Sequence, residues 1–187
     1  MSIVIIANIS SNSGIGKTNG DLLFHIKEDM NFFRDTTKGN VVLFGRKTFD
    51  SIISLRGKPL EGRINAILTN NENYESKYGE QVYTDLNRII NHSKTLTEND
   101  KTIYVAGGME IYKSLLPHCD EVLLTHVNKH VEADIYYPIE LQEELGFKAV
   151  KESEDFYSEK YDAYYKFVRY VKDNIMEGGE ADDEGGG

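Results

Sequence analysis

The sequence predicts an α/β fold. It reads as a single domain with a central, mostly parallel mixed sheet of about eight strands, flanking helices and an antiparallel C-terminal edge ribbon. Three observations carry this. Apolar, β-branched runs bounded by turn residues recur through residues 2–172. Up to about residue 125 they alternate with stretches of helical periodicity, the pattern of parallel strands joined by covering helices. The segment EDFYSEKYDAYYKFVRYV then alternates aromatic and polar residues, as an antiparallel ribbon does.

The opening run fits a strand over 2–9. It is too β-branched to favour a helix, too short to cross a membrane, and lacks the basic flank of a signal peptide. Residues 10–21 (SSNSGIGKTNGD) form a loop at the strand edge where α/β proteins bind ligands. A helix follows over 26–37, then a strand over 41–44 and a short helix over 46–52. Strands at 64–69 and 81–83 flank a polar surface loop at 70–80. Helix 85–92, strand 102–106, helix 108–115 and strand 121–128 complete the alternating part, and 147–156 with 161–172 form the ribbon.

The 187 residues carry 31 acids and 21 Lys or Arg, a net charge of -10. Six of the acids lie in residues 173–187 (DNIMEGGEADDEGGG), which have too little apolar surface to fold and are expected to be a disordered tail behind a 1–172 domain. The acidic balance argues against a nucleic-acid binder and against attachment to an anionic membrane. A lone cysteine, Cys119, rules out an internal disulfide and suits a reducing, cytoplasmic setting. With His118, His126 and His130 it matches no zinc spacing, so no metal is expected.

Three segments could carry chemistry. In HIKEDMNFFRDTT, Ile26, Met30, Phe33 and Thr37 form one inward helical stripe, and Asp29 lies within it while Glu28 sits about 100° to one side. Two roles are open to Asp29: a first-turn acid favoured by the helix dipole, or a buried carboxylate that needs a partner. In VVLFGRKTFDSI, a strand runs through Gly45 into Arg46, Lys47 and Thr48 at a helix start, an anion site or else a solvated basic turn. In TIYVAGGMEIYKSLLP, a strand ends at Ala106 before Gly107, Gly108 and a helix beginning near Met109, where backbone could approach a phosphate or the glycines merely turn the chain. Neither the P-loop pattern nor the Rossmann fingerprint is present. Together these features suggest a phosphate-bearing cofactor beside a polar heterocycle.

Taken in order, the segments resemble dihydrofolate reductase over about residues 2–172. The similarity is carried by IVIIANISSNSGIGKTNGD, by Asp21-Leu22-Leu23-Phe24 followed by Asp29, and by Gly45-Arg46-Lys47-Thr48-Phe49-Asp50-Ser51-Ile52. It continues through Pro59-Leu60-Glu61-Gly62-Arg63, Gly107-Gly108-Met109-Glu110-Ile111-Tyr112, Leu123-Leu124-Thr125 and Ala133-Asp134. Leu23-Phe24 stands where the family has Pro-Trp, whose Trp holds a water near the acid; residues 53–58 look like an insertion; and Glu110 stands where relatives often carry a cation.

The resemblance implies reduction of 7,8-dihydrofolate to tetrahydrofolate by hydride transfer from NADPH, in support of one-carbon and thymidylate metabolism. Asp29 would bind the pterin edge, oriented by Thr125. Ile6 and Ala106 would offer carbonyls, Met30, Phe33, Ile52 and Tyr112 would complete the substrate site, and Arg63 would pair with the glutamate carboxylate. Ala7, Ile15 and Gly16 would line the nicotinamide. Gly45, Arg46, Lys47, Thr48 and Thr69, with Gly107, Gly108, Met109, Glu110 and Ile111, would hold the rest of the cofactor. A cytoplasmic monomer that also binds antifolates is expected. The alternatives are the reductase half of a bifunctional reductase–thymidylate synthase, a riboflavin-pathway pyrimidine reductase, and a nucleotide-binding module without turnover.

Overall fold

The structure is a computed structural model that describes residues 3–95 and 101–172. The acidic tail therefore lies outside the described residues. Strand β1 (Ile3–Ser10) is the centre of the sheet, buried on both sides by β-branched residues that pack without exposing backbone. On one side it pairs in parallel with β6 (Ile103–Val105), which leads to β3 (Val41–Gly45), β4 (Ile64–Leu68) and β5 (Gln81–Tyr83), all parallel. On the other side it pairs in parallel with β7 (Glu121–Val127). Helices α1 (Lys27–Thr37), α2 (Arg46–Arg56), α3 (Leu86–Thr95) and α4 (Met109–Leu115) make the crossovers.

The C-terminal ribbon departs from the expected form. β11 (Ala163–Lys172) enters the sheet antiparallel to β7, so it is not an edge. The expected single strand over 147–156 is two strands, β9 (Phe147–Glu152) and β10 (Phe156–Ser158), which share the outer side of β11. The break follows from Ser153, whose side-chain oxygen and backbone N–H both bond Phe167. Three short elements also carried no legible signal: β2 (Gly14–Gly16), β8 (Ile135–Tyr136) and α5 (Ile139–Glu144). The first two pair as a small ladder that ties down the loop after β1. Helix α2 takes in residues 53–56 of the segment that looks like an insertion and is capped by Gly57, in the left-handed conformation that favours glycine.

Loop 70–80 is largely exposed, as its polarity suggests, but it closes on a buried acid. Glu80 accepts hydrogen bonds from the Lys77 and Tyr78 N–H groups and from the Tyr74 hydroxyl. These donors hold its carboxyl below the usual range despite burial, which pushes it up. The same burial, with the Glu80 bond, pushes the Tyr74 phenol up to about 12.

Candidate active site

Parallel strands point their C-terminal ends to one edge, and the site residues gather there. Asp29 lies in the first turn of α1, where the helix dipole favours an acid. It is also the partnered carboxylate, so both roles open to it hold. The Thr125 hydroxyl in β7 donates to Asp29 Oδ1 at 2.5 Å, and Asn8 Nδ2 in β1 donates to Oδ2 at 2.7 Å. Burial pushes the Asp29 carboxyl above its ordinary value, and these two donors draw it part of the way back. Glu28 is exposed. Asn8 carried no sequence signal of its own: its partner is 21 residues away in another element.

Met30 departs from expectation. It is 53 % exposed instead of lying inward. Asp29 takes the direction that faces β7, and the next residue on a helix points about 100° away. The rest of the stripe holds: Ile26 and Thr37 are buried and Phe33 is half-buried. Phe33, Ile52 and Ala106 pack against one cluster built on Val42, Phe44 and Phe49.

The two glycine turns meet. Gly45 N–H donates to Gly107 O at 2.7 Å, and Ala106 N–H to Leu43 O at 2.9 Å. A Cβ on Gly45 would lie 3.2 Å from Ile111 Cδ1, and one on Gly108 would lie 3.5 Å from Thr48 Oγ1. The helices that start here, α2 and α4, have no side-chain cap, so their first N–H groups remain for an anion. Arg46 and Lys47 are exposed beside them; Arg46 lies 3.8 Å from Asp50 and over the Tyr74 ring. These residues fit a dinucleotide phosphate cradle. Met109 is half-buried and Glu110 exposed at the start of α4.

Tyr112 joins the two halves. It is buried, and its hydroxyl donates to Ile6 O at 2.9 Å, so it acts on the site through Ile6. Gly107, at φ +119, places its missing side chain 3.4 Å from that hydroxyl. Gly107→Ala is therefore expected to lower Tm by the strain of a non-glycine residue there, about 1–3 kcal/mol. It should also weaken NADPH binding roughly tenfold. Calorimetry checks both, and an unchanged Kd would remove this turn from the cofactor site.

Other expected residues lie further out. Ile15 and Gly16 are in β2, where Asp134 N–H donates to Gly16 O at 3.1 Å and Asp134 Oδ2 accepts from Thr18 N–H at 2.9 Å. Thr69 follows β4, with its N–H on Tyr83 O and its hydroxyl accepting from Asn71 N–H. Arg63 donates through Nε to Glu61 O at 2.9 Å and lies over the Phe33 ring. A 570 Å³ hollow lined by Ile9, His126, Val127, Tyr165, Lys166 and Tyr170 among others contains none of the expected site residues. Among the described residues, no cluster of three His, Cys, Asp or Glu side chains could hold a metal, and no helix is long and apolar enough to cross a membrane.

Comparison with known proteins decides the family. A family model described as dihydrofolate reductase matches residues 2–172. The chain belongs to the dihydrofolate reductase family. A dihydrofolate reductase of Bacillus subtilis (strain 168) is 30% identical over 177 residues, covering 95% of this chain and 98% of that one. A bifunctional dihydrofolate reductase-thymidylate synthase of Daucus carota is 32% identical over 149 residues, covering 72% of this chain and 28% of the relative. A solved dihydrofolate reductase from Enterococcus faecalis, complexed with NADP(H) and RAB-propyl, superposes with a TM-score of 0.80 at 25% identity over 91% of this chain and 95% of that one. As a dihydrofolate reductase, the protein is an NADPH-dependent oxidoreductase that reduces 7,8-dihydrofolate to tetrahydrofolate.

Proposed function

We propose that Asp29, held by Thr125 and Asn8, is the acid of this reductase. The observation that carries the assignment is the pair of short donors on its two oxygens, on an otherwise apolar helix face. The cofactor supplies the hydride; the chain binds, orients and manages one proton. Asp29 takes the amidine-like edge of the pterin by paired, charge-assisted hydrogen bonds and favours a protonated N5. Ile6 O has a second lone pair beside its Tyr112 bond, and with Ala106 O it receives the ring's amino group. Met30, exposed next to Asp29, covers the ring, while Phe33 and Ile52 wall the benzoyl group. Ala7, Ile15 and Gly16 line the nicotinamide, and Thr69 reaches the adenosine side.

The direct test is loss of NADPH absorbance on adding dihydrofolate. NADPH binding without oxidation would make the chain a nucleotide-binding module instead. Arg46 with Lys47 meets the adenosine 2′-phosphate, and Glu110 opposes it by like charge. NADPH is expected to exceed NADH in kcat/KM by at least roughly tenfold, the worth of one charge-assisted bond. Equal values would refute this assignment. Antifolates compete for the Asp29 edge, and the protein acts as a cytoplasmic monomer. Residues up to β11 form the working domain. Truncation after Asn174 should leave turnover and Tm unchanged, and a large loss of either would show that the tail docks on the body.

A further inference from the structure

Loop 70–80 carries a buried acid that the reaction above does not use. Glu80 is 4 % exposed at the end of a stretch whose other residues are mostly exposed. Burying a carboxylate is costly unless donors surround it, and here they do. Its Oε1 accepts from the Tyr74 hydroxyl at 3.0 Å and from Lys77 N–H at 3.1 Å, and its Oε2 accepts from Tyr78 N–H at 2.8 Å. The backbone donors close the loop. The phenolic donor does something else: it fixes the Tyr74 side chain by its far end.

The Tyr74 ring is held from other sides as well. It packs against the cluster of Val42, Phe44, Phe49, Leu60 and Ile67, which joins the sheet to α2. Its backbone N–H donates to Asn71 O at 3.1 Å, and Asn71 N–H donates to Thr69 Oγ1 at 3.2 Å, so the ring is tied to the end of β4. Fixed in this way, it meets the first residue of α2: the Arg46 guanidinium carbon lies 5.5 Å from the ring centre. That is within reach of a cation–π attraction. A second neighbour of Arg46 is Asp50, at 3.8 Å, in a pair exposed on both sides and therefore worth little. A ring face holds a guanidinium without using its N–H donors or neutralising its charge, which leaves both for an anion.

We propose that Tyr74, anchored by Glu80, is a positioning residue for cofactor choice: its ring holds the Arg46 guanidinium ready for the adenosine 2′-phosphate. The inference rests on the assignment of Arg46 to that phosphate. A free arginine side chain has many rotamers, and ordering it on binding costs affinity. Tyr74 removes part of that cost in the unliganded protein. The gain falls on NADPH alone, since NADH has no 2′-phosphate for Arg46 to meet. The buried acid thereby acts on recognition from outside the site: Glu80 fixes Tyr74, Tyr74 fixes Arg46, and Arg46 meets the ligand.

Equilibrium binding of NADPH and of NADH, measured without folate, tests this. Tyr74→Leu should weaken NADPH about two- to fivefold, the worth of an exposed cation–π contact, and leave the NADH Kd unchanged. An unchanged ratio of the two Kd values, whether both weaken or neither does, overturns the proposal. In an Arg46→Ala background Tyr74→Leu should cost NADPH nothing further, because the two residues act in series; an additive loss overturns it. Should Tyr74→Leu fail to fold, Tyr74→Phe is compared with pentafluorophenylalanine at the same position, which nearly keeps the shape but reverses the charge on the ring face. Weaker NADPH binding by the fluorinated ring, with NADH unmoved, supports the proposal, and equal binding by the two rings overturns it. Arg46→Ala run alongside separates the two failures. If Arg46→Ala keeps the parent's ratio of Kd values, Arg46 is misassigned and Tyr74 falls with it; if Arg46→Ala changes the ratio and Tyr74→Leu does not, Arg46 stands and only Tyr74 falls.

Discussion

Asp29→Asn is expected to cut turnover of dihydrofolate by at least about 100-fold at neutral pH, within the range that a positioned acid or base contributes. The amide keeps the shape and can still bond Thr125 and Asn8, since hydroxyl and amide partners both accept as well as donate. What it loses is the negative charge that favours a protonated pterin. Activity should return in part at lower pH, where more substrate already carries the proton. Stability should move the other way. Burial raises the folded-state pKa of Asp29 above its unfolded value. The ionised form therefore costs stability, a cost absent below the unfolded pKa and complete once pH has risen past the folded one. Asp29→Asn should thus match or exceed the parent in Tm at pH 7, with the gap closing as pH falls towards 3.8. Melting curves across pH check the sign. Glu28→Gln, on the exposed neighbour, should change turnover by less than about tenfold, or 1.4 kcal/mol. The reverse ranking of the two variants would shift the acid by one residue.

Arg63→Ala is expected to raise KM for dihydrofolate by roughly 10- to 150-fold, the worth of a charge-assisted bidentate pair at about 1.5–3 kcal/mol. Among the described residues no carboxylate lies within ion-pair distance of Arg63. Burial, then the Arg56 and Arg34 charges, lowers its pKa, and only Glu61 acts against them. A guanidinium in this setting gains from an incoming carboxylate. Its Nε is already fixed on Glu61 O, which holds the remaining fork in place. NADPH affinity should not change. Arg63→Lys should recover only part of the loss, because an ammonium cannot match both carboxylate oxygens. An unchanged KM for Arg63→Ala would remove the residue from the substrate site.

The alternating strands and helices were legible because each buries one regular stripe, and Asp29 was legible because it interrupts such a stripe. The glycine turns were legible from Gly45 and Gly107-Gly108 lying between a strand and a helix. Thr125 came only through the family resemblance, since a threonine in a strand has nothing local to mark it. Asn8 was missed for the same reason: its role depends on β1 and α1 meeting. Met30 was misplaced because a stripe of apolar positions is wider than the surface that covers it. β2, β8 and α5 are two to six residues long, too short for periodicity to register. The division of 147–156 depends on Ser153 bonding a strand 14 residues away.

β1 is among the first segments synthesised and among the last to find its neighbours. Its flanking strands begin at Ile103 and Glu121. At about 5–20 residues per second, the ribosome needs roughly 5–20 s after making β1 before β6 and β7 exist to cover it. Throughout that interval the chain carries IVII as an unpaired apolar strand, a template for pairing with other nascent chains. The centre of the finished sheet is thus the most exposed liability of the growing one, and cellular yield depends on how well that strand is shielded before residue 127 emerges.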